Sequence, residues 1–334
     1  MLANKAIRFS ENLDYSFAIG RLRAQESYLF DHQRYERLIR ATDIKDFLGV
    51  LADSRYFQFL DDASRLNPEL IFRRAQAEIL RFCLKYSRED WLQALLRLPV
   101  AVYNLKISFK QAYQEGAGSI ADWQLPEPAR GFARGRIWQE LMVLINEGGA
   151  EAFLHAREKS DPALIDIFLD RLEHRLAMKL CAGQDYAQGY YRLFADLTNL
   201  LTALRLRLLG EDEKVLKQAL LPGGTLLEKE ILALVGTGEE KLELAFGSGI
   251  FAQIVSYGWK SAKEMGSLVL MEKKVRERLL DYVNTARYVA LGYEPLFRFY
   301  RLLENELTNL RLLYAAKLAG LETEKCQDLV VYGF

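Results

Sequence analysis

Few residues in this 334-residue chain have the types and spacing that chemistry requires. Its histidines are His32, His155 and His174; its cysteines are Cys83, Cys181 and Cys326. A helical zinc site is written H-E-x-x-H and a knuckle C-x-x-C, because those spacings bring two ligands to one side of an ion. Neither spelling occurs. Glu173-His174 with Asp166 and Asp170 can be drawn as an acid–base cluster, but their helical spacing reads as a solvated face. Gly236-Thr237-Gly238-Glu239-Glu240-Lys241 and Gly247-Ser248-Gly249 resemble phosphate cradles at first sight. Neither completes G-x-x-x-x-G-K-[ST] or follows a strand, so both read as caps and turns. Gly20 has no G-x-G-x-x-G around it, and Leu221-Pro222-Gly223-Gly224-Thr225 reads as a turn into a capped helix. The expectation is a chain with no catalytic residue, metal or cofactor.

What recurs instead is a polar pair on a helix. Residues 302–321 read LLENELTNLRLLYAAKLAGL, with Leu303, Leu307, Leu310, Tyr314 and Leu318 at the spacings of one helical face and Gly320 as its stop. Leu307-Thr308-Asn309-Leu310-Arg311 has an earlier counterpart in Leu197-Thr198-Asn199-Leu200-Leu201, followed by Arg205 and Gly210. A weaker one is Val102-Tyr103-Asn104-Leu105-Lys106. The offsets between the asparagines are 95 and 110 residues, which suggests three versions of one helical unit. Asn199 lies off the stripe of Leu197, Leu200, Leu204 and Leu208, so the helix has a second face that is either buried or offered to a partner. Asn104, Asn199, Arg205, Asn309 and Arg311 are therefore the candidate partner-binding residues.

The elements that carry these residues are helical throughout. Asp14 to Ile39 reads as one long helix, and Asn67-Pro68 and Asp161-Pro162 read as helix starts. Pro99 is expected to kink or split its helix. Thr225/Glu228 and Thr237/Glu240 read as capping boxes. Short helices are expected around Phe47–Leu51, Phe153–Leu154 and Leu242–Phe246, and a longer one from Val275 to Gly292. The fold class is all-α. The expected repeats span 1–118, 119–210 with a glycine- and proline-rich linker at 119–136, and 211–334.

Composition bounds the rest. Half the residues are hydrophobic and 27% are charged, ordinary for a globular protein with a sizeable core. Forty-five basic residues balance 45 acidic ones, which argues against a nucleic-acid surface as the main business of the chain. The scattered cysteines fit a reducing compartment, and neither a signal peptide nor a run of 18 apolar residues is evident.

Four stretches together resemble one family. They are Tyr15-Ser16-Phe17-Ala18-Ile19-Gly20-Arg21-Leu22-Arg23-Ala24, Asp196-Leu197-Thr198-Asn199-Leu200, Leu221-Pro222-Gly223-Gly224-Thr225-Leu226, and Glu304-Asn305-Glu306-Leu307-Thr308-Asn309-Leu310-Arg311 through Leu321. The chain resembles the C-type subunit of the archaeal and bacterial V-type (A-type) ATPase, equivalent to the d-type subunit of the eukaryotic V-ATPase. The resemblance implies three helical repeats around a pseudo-threefold axis, forming a funnel with no active site or cofactor. It implies central-shaft subunits of the D and F type and the membrane rotor ring as partners. It also implies a peripheral place on the cytoplasmic face of the membrane. A helical-repeat scaffold unrelated to a motor is the alternative.

Overall fold

The computed structural model describes residues 7–114, 161–236 and 249–333, with residues 140, 156, 158 and 159. The linker at 119–136, the short helices around Phe153 and Leu244, the Thr237/Glu240 box and His155 lie outside them. The described residues are helical and include no strand. They belong to two compact units, one built from Met1–Arg88 with Glu240–Phe334, the other from Glu89–Glu239.

In chain order the helices are α1 (Ser16–Glu26), α2 (His32–Arg40), α3 (Ile44–Ala52), α4 (Asp62–Leu66), α5 (Glu69–Tyr86), α6 (Asp90–Gln114), α7 (Ala163–Leu180), α8 (Asp185–Leu209), α9 (Glu213–Ala219), α10 (Glu228–Gly236), α11 (Ile250–Met265), α12 (Val269–Asn284), α13 (Glu294–Leu318) and α14 (Thr323–Leu329). Three of them, α6, α8 and α13, have 25 residues each, and each follows a helix of 16 or 18 residues. α8–α9 and α13–α14 also end alike. Gly210 and Gly320 take φ of +73° and +67°, where a side chain would be strained, and each stops its long helix. The N–H groups of Glu211 and Leu321 then bond back to the carbonyls of Leu206 and Ala316, at 3.0 and 2.9 Å.

α13 is the centre of its unit. Apolar residues return on every side of it, and α1, α3, α5, α12 and α14 pack around it. Polar pairs tie it to chain far away in sequence: Arg298 to Glu26 at 2.5 Å, Glu294 to the hydroxyl of Ser10 at 2.8 Å, and Lys317 to the carbonyl of Ile39 at 2.6 Å. In the other unit α6 packs along α7, where Lys106 meets Asp170 and Lys110 meets Asp166 at 2.5 and 2.8 Å.

Four expectations about the elements are corrected. The stretch from Asp14 to Ile39 is two helices, because Asp31 caps α2 through the N–H of Arg34 while a distant carboxylate takes the N–H of Phe30. α6 is not split at Pro99, which removes one internal bond without ending the helix. α12 stops at Asn284 rather than Gly292, its last side chain turned to a tertiary contact. Thr225 caps nothing: its N–H and hydroxyl both go to Asp196, and α10 starts three residues later.

Candidate functional site

Asn199 lies inside its unit, 4% exposed, on the side of α8 away from solvent. Its amide holds one residue by both backbone groups. Asn199 Nδ2 donates to the carbonyl of Leu221 at 2.9 Å, and the N–H of Leu221 donates to Asn199 Oδ1 at 2.8 Å. One helical turn earlier, Asp196 is fully buried and accepts from the N–H of Thr225 at 2.8 Å, its hydroxyl at 2.6 Å, and the N–H of Leu226 at 3.0 Å. Gly224 must be a glycine here, since a Cβ would overlap Asp196 Oδ1. From α7, His174 Nε2 sits 2.9 Å from the carbonyl of Pro222, so that nitrogen carries the proton and donates it. Its Nδ1 is buried without a hydrogen-bond partner, and burial pushes the imidazole below its ordinary pKa. The Leu220–Leu226 segment is thus gripped through its backbone by three buried side chains.

The same arrangement recurs 110 residues later. Asn309 is fully buried on α13. Its Nδ2 donates to the carbonyl of Val331 at 2.8 Å, and the N–H of Val331 returns to its Oδ1 at 3.1 Å. Each asparagine therefore grips the residue 22 places on. Asn305 adds a second donor to Val331 at 2.8 Å, and Arg276 of α12 reaches Asn309 Oδ1 at 3.0 Å and the carbonyl of Leu329. Glu306 takes the position Asp196 holds in the other unit, three before the asparagine. It accepts from the N–H of Phe30 at 2.6 Å and the hydroxyl of Tyr56 at 2.7 Å. Burial raises its pKa above the ordinary carboxylate value, and burial with the Glu306 charge raises that of Tyr56.

The other candidate residues sit differently. Asn104 is half-buried on α6 and Arg205 is exposed on α8. Arg311 makes a two-bond contact with Glu69 of α5 at 3.1 and 3.3 Å and lies over the ring of Phe72. The structure places Asn199 and Asn309 in equivalent roles, leaves Arg205 exposed, and leaves Asn104 and Arg311 half-buried. The cluster read from sequence as a solvated face divides as well. Asp166 and Asp170 pair with lysines, whereas His174 is 2% exposed. Sequence reasoning passed over Asp196, Glu306, Asn305 and Arg276. The signal was present for the first two, as an acid three residues before each asparagine. Nothing marked Arg276 among the charges of α12.

These groups hold backbone; they present no nucleophile beside a base. Among the described residues no set of three His, Cys, Asp or Glu side chains is grouped to hold a metal, and no helix is long and apolar enough to cross a membrane. The family described as ATP synthase (C/AC39) subunit matches residues 18–329. Relatives named as the C-type subunit of A-type ATP synthase include one from Desulfurococcus sp. (strain SY), 22% identical over 94% of this chain and 90% of its own length. One from Haloferax volcanii is 23% identical, over 94% and 97% respectively. One from Methanosarcina acetivorans is 22% identical, over 95% and 93%. With the match running from α1 to the end of α14, over both clamping asparagines, the chain belongs to the ATP synthase (C/AC39) subunit family.

Proposed function

We propose that this chain is a non-catalytic central-stalk subunit of a rotary V/A-type ATPase. In that role it couples shaft subunits of the D and F type to the membrane rotor ring at the cytoplasmic face, for ATP-driven ion transport or ATP synthesis. Family membership supports the complex. The observation that carries the coupling role is the recurrence of one 25-residue helix three times, twice with an identical clamp on the segment after it. A part that transmits torque must not deform. Clamps that satisfy buried backbone with buried side chains make α8 and α13, each with the segment after it, stiff bodies.

On this reading the repeats, 1–118, 119–210 and 211–334, surround a pseudo-threefold axis as a funnel that receives the shaft. Asn104, Asn199 and Asn309 mark the three walls, the latter two from inside the wall. Arg205 and Arg311 are the groups that meet the shaft. A contact that holds under load buries more than about 1,000 Å² in total. The test is capture of the rotor subunits from membranes by the tagged chain. Arg205→Glu with Arg311→Glu should leave the helical content intact and weaken shaft binding, most at low salt, where exposed charges are least screened. A folded double variant that binds shaft and ring as before removes the site assignment. A wild-type chain that captures neither removes the function.

A further inference from the structure

His174 and Asn284 hold equivalent places. They lie 110 residues apart, the offset that separates Asn199 from Asn309, and each reaches the clamped segment of its own unit. His174 Nε2 donates to the carbonyl of Pro222, one place after the clamped Leu221, at 2.9 Å. Asn284 Nδ2 donates to the carbonyl of Gly333, two places after the clamped Val331, at 3.0 Å. Their second polar atoms differ. Asn284 Oδ1 accepts from Arg298 Nε at 2.9 Å, so that side chain is engaged at both ends. His174 Nδ1 is buried and accepts nothing. Its ring neighbours Tyr191 and Phe194, each 6.1 Å away between centroids. One latch is therefore built from a side chain that cannot titrate, the other from one that can.

A proton on Nδ1 makes both ring nitrogens of His174 donors. Pro222 serves one; the other is left buried without an acceptor, which is costly. The charges on the surrounding elements do not relieve it. Along α7, Asp170 pairs with Lys106 of α6, Asp166 with Lys110, and Lys179 with Glu140. Arg171 is turned to the carbonyl of Gln218 at the end of α9. Glu173 and Arg175, next to His174 in sequence, leave α7 in other directions. Glu213, Lys214 and Lys217 of α9 are exposed, and Glu228 of α10 acts on Arg171. On α8, Arg192 is exposed and Asp196 is the charge that acts on the imidazole. The Asp196 oxygens already accept from Thr225 and Leu226, so an imidazolium that takes Asp196 takes it from the turn. Pro222, Gly223 and Thr225 are exposed, and the segment can lift into water without parting two helices. We propose that His174 makes Leu220–Leu226 a proton-released latch: a proton on Nδ1 frees the turn from α7 and α8, and loss of that proton closes it. Burial keeps the imidazole below its ordinary pKa, so the closed turn holds it neutral. The opening is local, and the proposal does not depend on the rotor reading.

The test is amide hydrogen exchange of the purified full chain, read residue by residue and divided by intrinsic rates. The opening constants of Leu221, Thr225 and Leu226 should rise about tenfold from about pH 7.5 to about pH 5.5, as proton uptake by an open-state imidazole of ordinary pKa, about 6.5, requires. At every pH they should exceed that of Leu200 by at least about tenfold, since the turn opens while α8 stays folded. His174→Gln keeps a donor for Pro222 and has no proton to gain, so its opening constants should be flat. Where that variant does not fold, His174→Asn, the residue used at the counterpart place, is read instead. A flat wild-type profile, a rise that persists in the variant, or turn amides that open only together with Leu200 overturns the proposal. A chain that folds with neither variant overturns it too, because the imidazole then builds the unit instead of latching a turn.

Discussion

Asn199 and Asn309 each grip a backbone residue through both of its polar groups, but Asn199 works alone where Asn309 shares the task with Asn305. Asn199→Ala leaves the buried N–H and C=O of Leu221 without partners, whereas Asn309→Ala leaves the N–H of Val331 alone while Asn305 still serves its carbonyl; the loss is about 1–3 kcal/mol per group left unsatisfied. Urea denaturation should therefore place Asn199→Ala and Asn309→Ala well below wild type; an unchanged midpoint would mean the clamps are incidental. Glu306 and His174 shift in opposite directions, and their pH signatures are opposite too. The carboxyl of Glu306 is held above 4.5 chiefly by burial. The native state keeps a proton the unfolded chain releases, so this group's contribution is complete below pH 4.5 and is lost as pH rises through the native value. Glu306→Gln keeps an acceptor for the N–H of Phe30 and supplies an amide hydrogen to the oxygen of Tyr56. It should gain on wild type as pH rises from about 5, and a pH-independent difference between the two would contradict the assignment. His174 is held below 6.5 by burial. Here the unfolded chain takes up the proton, so stability falls as pH drops through 6.5. His174→Gln should flatten that slope.

At the scale of elements, the long helices were the legible part. Period 3.6 marked α6, α8 and α13, and the glycines at 210 and 320 marked two of their ends. Leu200→Ala and Leu310→Ala, both fully buried, should each cost about 2–5 kcal/mol in chemical denaturation. What sequence left hidden follows one pattern: an element boundary was missed wherever a distant side chain decided it. The break before α2 depends on Glu306 taking the N–H of Phe30, 276 residues away. The Pro-Gly-Gly-Thr turn looked like a helix start because Thr precedes Glu by three. Asp196, 29 residues earlier, claims Thr225 instead. Gly224→Ala tests that claim, since its Cβ must displace the Asp196 carboxylate; a loss of about 1–3 kcal/mol is expected, and a neutral result would free the turn from Asp196. The asparagines themselves were legible by recurrence, but their burial was not, because an asparagine off the apolar stripe looks the same whether it meets water or backbone.

At the scale of the molecule, the absence of a phosphate-binding motif in the sequence sets one further expectation. The purified chain should show no micromolar ATP binding in calorimetric titration, and such binding would refute the non-catalytic reading. Family and helical class were readable from four short stretches taken together, since each stretch sits where packing limits the choice of residue. The division into a contiguous and a discontinuous unit was not readable. Sequence-local signals report neighbours three or four residues apart, and this division is made by contacts hundreds of residues apart.

That division sets an order of events during synthesis. The unit spanning Glu89–Glu239 is contiguous, and its clamp closes over 22 residues, so it can fold as it is made. Its companion cannot. Ser10, Glu26, Phe30, Ile39 and Glu69 all await partners on α13, between 242 and 284 residues downstream. At about 5–20 residues per second, the first helices spend on the order of ten seconds or more without their central helix. During that interval the buried faces of α1 to α5 are open to water and to each other. The nascent chain before α13 is therefore where chaperone dependence and aggregation of this protein should concentrate.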